Sequence, residues 1–149
     1  MKFAEDFEVG DVHDLGEHEV TSEEIITFAK IYDPQPYHIS AEAGCSSFFG
    51  GLVASGWNVA SIWMRLYVRA MLIDANVQGS PGVDALRWNS PVRPGDVLQG
   101  NVEILDAVRN PFQRDVFTLR KRGTLKREGE KREVMSLVLF SRFVSRLGP

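Results

Sequence analysis

The chain of 149 residues is 44% hydrophobic and 25% charged, which suits one globular domain with a sizeable core. Its net charge of −3 excludes a general nucleic-acid binder, which would be basic. Its single cysteine, Cys45, excludes an intrachain disulfide and fits a reducing, cytoplasmic setting.

Residues 1–10 read as an irregular arm. They carry acids and no apolar run, so no signal or transit peptide is expected. Residues 11–20 form a first strand of weak alternation. A helix then starts with good local chemistry. Thr21 and Glu24 make a capping box, and Val20 with Ile25 fits a hydrophobic staple. Ile25, Phe28, Ala29 and Tyr32 repeat at helical spacing until Pro34 stops the helix, leaving Asp33 at or just past its end. Residues 39–51 are small, polar and glycine-containing, and read as a loop.

Residues 52–73 are the longest apolar run. Its charges, Arg65 and Arg69, argue against a membrane span and for a buried helix. The two arginines, four apart, mark the one face where that helix meets solvent or a partner. The remainder reads as four strands over residues 83–89, 97–108, 115–126 and 133–144. Pro94-Gly95 supplies a type II turn. The last strand is apolar on both faces, which predicts cover on both. The basic residues Arg120, Lys121, Arg122, Lys126, Arg127, Lys131 and Arg132 lie among Glu128, Glu130 and Glu133, the pattern of a solvated hairpin. A grip on the phosphates of a CoA is the other use of such a cluster. The sum is an α+β domain, residues 1–149, with an antiparallel sheet curled around a long central helix. Such a sheet leaves edges uncovered, so a homodimer is expected.

Chemistry concentrates in Tyr32-Asp33-Pro34-Gln35-Pro36-Tyr37-His38. A carboxylate and an imidazole stand five residues apart on a segment stiffened by prolines, as a preset acid–base pair requires. The plain alternative is that Asp33 caps a turn and His38 is an ordinary loop residue. The glycine-rich entry to the long helix, Gly50-Gly51-Leu52-Val53-Ala54-Ser55-Gly56-Trp57, supplies the second half. Ser55 as N-cap would leave the Gly56 amide free to polarise a carbonyl. The alternative there is that the glycines only permit close packing. Trp57 and Trp63 read as core, with Trp57 near enough to line a pocket. His13 and His18, five apart on one strand, should face opposite ways, which argues against a metal site. Cys45 reads as a small loop residue.

Asp33-Pro34-Gln35-Pro36-Tyr37-His38 resembles the hydratase motif Asp-x-Asn-Pro-aliphatic-His of the MaoC-like dehydratases and (R)-specific enoyl-CoA hydratases. Gly51-Leu52-Val53-Ala54-Ser55-Gly56 and Pro91-Val92-Arg93-Pro94-Gly95-Asp96 are similar to that family too. The resemblance spans roughly residues 5–145. It implies a hot-dog fold, a dimer, no cofactor, and reversible hydration of a trans-2-enoyl thioester, carried on CoA or an acyl carrier protein, to the (R)-3-hydroxyacyl thioester. Asp33 and His38 would be catalytic, Ser55 and Gly56 would bind the carbonyl, and Trp57 and Gln35 would contact substrate. Gln35 stands where Asn is usual, and Ser55 where His often precedes the glycine. Two other functions stay open: an acyl-CoA thioesterase, and a non-catalytic acyl-thioester binder. Residues 51–73 contain no Asp or Glu, which counts against the first, since hot-dog thioesterases often carry a carboxylate on or beside the central helix. Retention of both Asp33 and His38 counts against the second.

Overall fold

The computed structural model describes residues 1–148. Five strands, β1 (Val12–Glu19), β2 (Gly82–Trp88), β3 (Val97–Arg109), β4 (Val116–Arg127) and β5 (Glu133–Val144), form one antiparallel sheet in the order β1-β3-β4-β5-β2. Among the described residues, four α-helices precede β2: α1 (Ser22–Tyr32), α2 (Pro36–Ile39), α3 (Ala41–Cys45) and α4 (Gly56–Tyr67), the last extended by a π-helical turn over Val68–Leu72. Among the described residues, no helix is long and apolar enough to cross a membrane.

The capping box of α1 is formed on both sides: Thr21 Oγ1 accepts the Glu24 amide at 3.2 Å, and Glu24 Oε2 accepts the Thr21 amide at 3.4 Å. Gly95 takes φ +88° between Pro94 and Asp96, and the Asp96 amide bonds the Arg93 carbonyl at 3.1 Å, closing the type II turn.

The inward face of α4 carries Val59, Ile62, Trp63, Leu66 and Tyr67 into the core. Trp63 lies over Gly123 of β4, where a Cβ would fall 2.3 Å from the indole ring, so only glycine lets the strand pass there. The indole N–H donates to the Asn101 carbonyl at 3.1 Å.

Several expectations need correction. The long helix begins at Gly56, not Leu52, because the backbone of the preceding residues is engaged elsewhere. The Val53 amide bonds the Tyr37 carbonyl and the Ala54 amide bonds the Val92 carbonyl. Its apolar surface is not all buried: Trp57 (58% exposed), Met64 and Val68 line an open stripe beside Arg65 and Arg69. Trp57 is therefore not core. The 39–51 stretch is not all loop, since α3 lies within it and carries the exposed Cys45. The N-terminal arm buries Ala4 and Phe7, whose ring packs on that of Phe143 with centres 4.9 Å apart.

Lys121 is not on a solvated face: it is fully buried. On β5, Val138 and Phe140 are only half-buried, so the second face of that strand is not closed. A bulge in β1 at Gly16 (φ +84°) adds one residue to the strand. His13 then pairs with Val102 and His18 with Leu98, on one face of β3 instead of two. His18 bonds Glu24 at 2.9 Å, while His13 lies edge-on to Phe7.

Candidate active site

Pro34 cannot continue α1, and Asp33 caps its C-terminal end through its own amide, bonded to the Ala29 carbonyl at 2.9 Å. Pro36 at the first position of α2 restarts the helix at once. This break-and-restart turns His38 back towards Asp33: His38 Nε2 lies 3.4 Å from Asp33 Oδ2. His38 is buried, and its Nδ1–H donates to the Val53 carbonyl at 2.6 Å. The extended run ahead of α4 thus serves the imidazole, and it fixes the tautomer that leaves Nε2 towards the cleft.

Ser55 is the N-cap of α4 and is fully buried. Its Oγ accepts the Trp57 amide at 3.3 Å and donates to Asp33 Oδ2 at 2.7 Å. The first amides of a helix have no intrahelical acceptor, and Gly56 is the first residue of α4. A Cβ at Gly56 would lie 2.5 Å from the Trp88 ring, so glycine lets that ring lie directly against the helix start. Gln35 Nε2 donates to Asp33 Oδ1 at 2.7 Å, and the Tyr37 hydroxyl donates to Gln35 Oε1.

Burial pushes the Asp33 carboxyl up, but hydrogen bonds from Gln35 and Ser55 and the neighbouring His38 outweigh it. The net effect holds Asp33 below the usual carboxylate range. Asp33 is thus ionised at neutral pH. An imidazole with its proton on Nδ1 and an ionised carboxylate present two acceptors 3.4 Å apart. One water can give a proton to each.

These residues line one cleft of about 520 Å³ that includes Asp33, Gln35, His38, Gly56, Trp57 and Trp88. All six residues singled out in the sequence are therefore on it or, for Ser55, hydrogen-bonded directly behind it. Gln35 faces Asp33 with its amide and is not aimed only at the open cleft. Sequence reasoning missed Tyr37, the Val53 carbonyl and Trp88. For Trp88 a signal existed, since a tryptophan closing a strand just before Pro91 needs a partner surface. The Val53 carbonyl left no signal, because any residue supplies one.

A model of the MaoC like domain matches residues 7–126. The chain is 35% identical to the MaoC-like dehydratase from Rhodospirillum rubrum, whose crystal structure superposes with a TM-score of 0.88 over 98% of this chain and 99% of that one. It is 28% identical over 102 residues to the uncharacterized protein YdeM of Bacillus subtilis (strain 168), 68% of this chain and 72% of YdeM. The R-hydratase PhaJ1 from Pseudomonas aeruginosa, at 18% identity, shares the fold, with a TM-score of 0.75 over 97% of this chain and 86% of that one.

Proposed function

Because the chain belongs to the family of MaoC-like domains and has the hot-dog fold, we propose that it is a hydro-lyase that adds water reversibly to a trans-2-enoyl thioester, giving the (R)-3-hydroxyacyl thioester. The observation that carries this reading is the pair of acceptors, Asp33 Oδ2 and His38 Nε2, set 3.4 Å apart on one cleft.

In the hydration direction, water held by the pair adds its oxygen to Cβ of the substrate. One O–H bond breaks and one C–O bond forms. The electron pair of the double bond moves to the thioester carbonyl, and the oxyanion is met by the Gly56 amide at the positive end of α4. One proton leaves water for the dyad and one leaves the dyad for Cα, so Asp33 and His38 end as they began. Trp57 and Trp88, edge to face at 5.2 Å, wall the cleft beside Gly56 and would contact the acyl or carrier portion. Either CoA or an acyl carrier protein would present the thioester.

A second reading has one observation in its favour. Asp33 is bonded to the residue that caps α4, so a carboxylate does stand at the start of the central helix although none lies within it. The same water could then attack the thioester carbon, as in hydrolysis. Crotonyl-CoA separates the two. Loss of the enoyl absorbance without thiol release is the expected result. Thiol release would establish a thioesterase, and binding without turnover a carrier of acyl thioesters.

We propose that the protein acts as a homodimer. β2 is an open edge with Val83 and Trp88 exposed, and the stripe Trp57, Met64 and Val68 on α4 is open as well. Pairing of two β2 edges would cover Val83 and satisfy the free backbone groups of that edge. Light scattering should give twice the 16.7 kDa chain mass, and Val83→Lys should shift it towards the monomer. A stable wild-type monomer at micromolar concentration would refute this.

A further inference from the structure

We propose that Gln35 and Tyr37 form a mutually dependent positioning pair that orients the carboxylate of Asp33. The proposal rests on the hydratase reading only for its kinetic consequences.

The carboxylate is held at both ends. Ser55 Oγ donates to Oδ2 at 2.7 Å and Gln35 Nε2 donates to Oδ1 at 2.7 Å, which fixes the plane of the group and turns Oδ2 towards His38 Nε2. Ser55 is fully buried and cannot wander. Gln35 is exposed, so its amide would rotate freely in water if nothing held it. Rotation by half a turn would put Oε1 against Oδ1, two acceptors in contact. The Tyr37 hydroxyl prevents this by donating to Oε1, so the NH2 end stays on Asp33. Tyr37 in turn is fixed by its neighbours. Its ring lies 5.1 Å from that of Phe49 and edge-on to the His38 imidazole at 4.5 Å. A line of contacts therefore runs from Phe49, on the cleft wall, through Tyr37 and Gln35 to Asp33.

The pairing accounts together for the amide at 35, one methylene longer than the usual Asn, and for Tyr37, which stands at the motif's aliphatic position. Asn has one methylene fewer than Gln, and an aliphatic residue has no hydroxyl to hold an amide. A longer, more flexible amide at 35 needs a second anchor, and Tyr37 supplies one two residues away. Pro36 between them fixes the backbone and so the relative placement of the two side chains.

Tyr37→Phe, Gln35→Leu and the double variant test this. Each single change should lower kcat/KM for crotonyl-CoA by roughly three- to tenfold, the worth of one partly exposed hydrogen bond. Each should also move the acidic limb of the pH profile upward, since Asp33 loses a donor to its charged form. The double variant should lose no more than Gln35→Leu alone, because Tyr37 acts through Gln35.

Carbon-13 NMR of the Asp33 carboxyl in the ligand-free protein provides a readout independent of catalysis. Its titration midpoint should rise in Tyr37→Phe, which keeps the ring and so the fold. A rise without any enoyl hydration by the wild type would leave the pair standing and refute the hydratase reading. Wild-type titration and pH profile in Tyr37→Phe, or additive losses in the double variant, would overturn the pair while leaving the hydratase reading intact.

Discussion

Asp33→Asn and His38→Ala should each lower kcat for enoyl hydration by roughly 10²–10⁴-fold, the usual range for a positioned acid or base. Both groups hold the same water in the proposed mechanism, so the double variant should lose little beyond the worse single. The two changes differ in structural cost. In Asp33→Asn the introduced amide would still accept from Gln35, and the Ser55 hydroxyl can reverse to accept from its NH2 group, so the fold should barely register the substitution. His38 is buried and bonds the Val53 carbonyl. Its removal leaves that carbonyl unpaired at a cost of about 1–3 kcal/mol. His38→Gln, able to donate to the same carbonyl, therefore isolates the chemical loss from the structural one. Activity that tracks only the folded fraction, with full turnover by folded Asp33→Asn, would end the mechanism.

Legibility in the sequence follows the range of the interactions involved. The capping box and the Pro-Gly turn are set by neighbours in the chain, and they stand where the residues indicate. The break at Pro34 also localises Asp33 and His38 to one bend. The start of the long helix is not legible, because Leu52, Val53 and Ala54 are apolar enough for a helix. Their backbone groups are claimed by Tyr37, His38 and Val92, and no local pattern announces such a claim. The parity argument for His13 and His18 fails for a similar reason. A single extra residue at Gly16 reverses every side chain beyond it. Trp57 reads as core because a helix without its partners shows composition, not which face the sheet covers. Lys121 is hidden among basic neighbours, although Leu119, Gly123 and Leu125 at alternating positions mark its side of β4 as inward.

Lys121→Met should stabilise the protein at pH 7, and the gain should shrink as pH rises. Lys121 Nζ lies 4.8 Å from the centre of the Phe143 ring and 5.2 Å from that of Tyr67. It has no hydrogen-bond partner among the described residues. Burial pushes its ammonium down to about 7, against about 10.4 for a lysine in an unfolded chain. Between those values the unfolded chain binds more protons at this site than the folded one. Stability therefore rises with pH through that window and carries the full penalty at and below its lower end. Tyr67 supplies no compensating charge there, since burial pushes its phenol up to about 12. The displacement corresponds to roughly 4–5 kcal/mol, of which the two aromatic faces return about 2 kcal/mol. Methionine fills the same slot without a charge, so Lys121→Met should gain about 2–3 kcal/mol at pH 7. For a chain of this length that is a rise in Tm of roughly 5–10 °C, read by calorimetry across pH 6 to 10. Activity should not change. Tyr67 closes the far end of α4 from Ser55, about 18 Å away at 1.5 Å per residue. A variant less stable than wild type, or a difference in Tm that does not vary with pH, would mean that the buried ammonium has an acceptor in the folded protein.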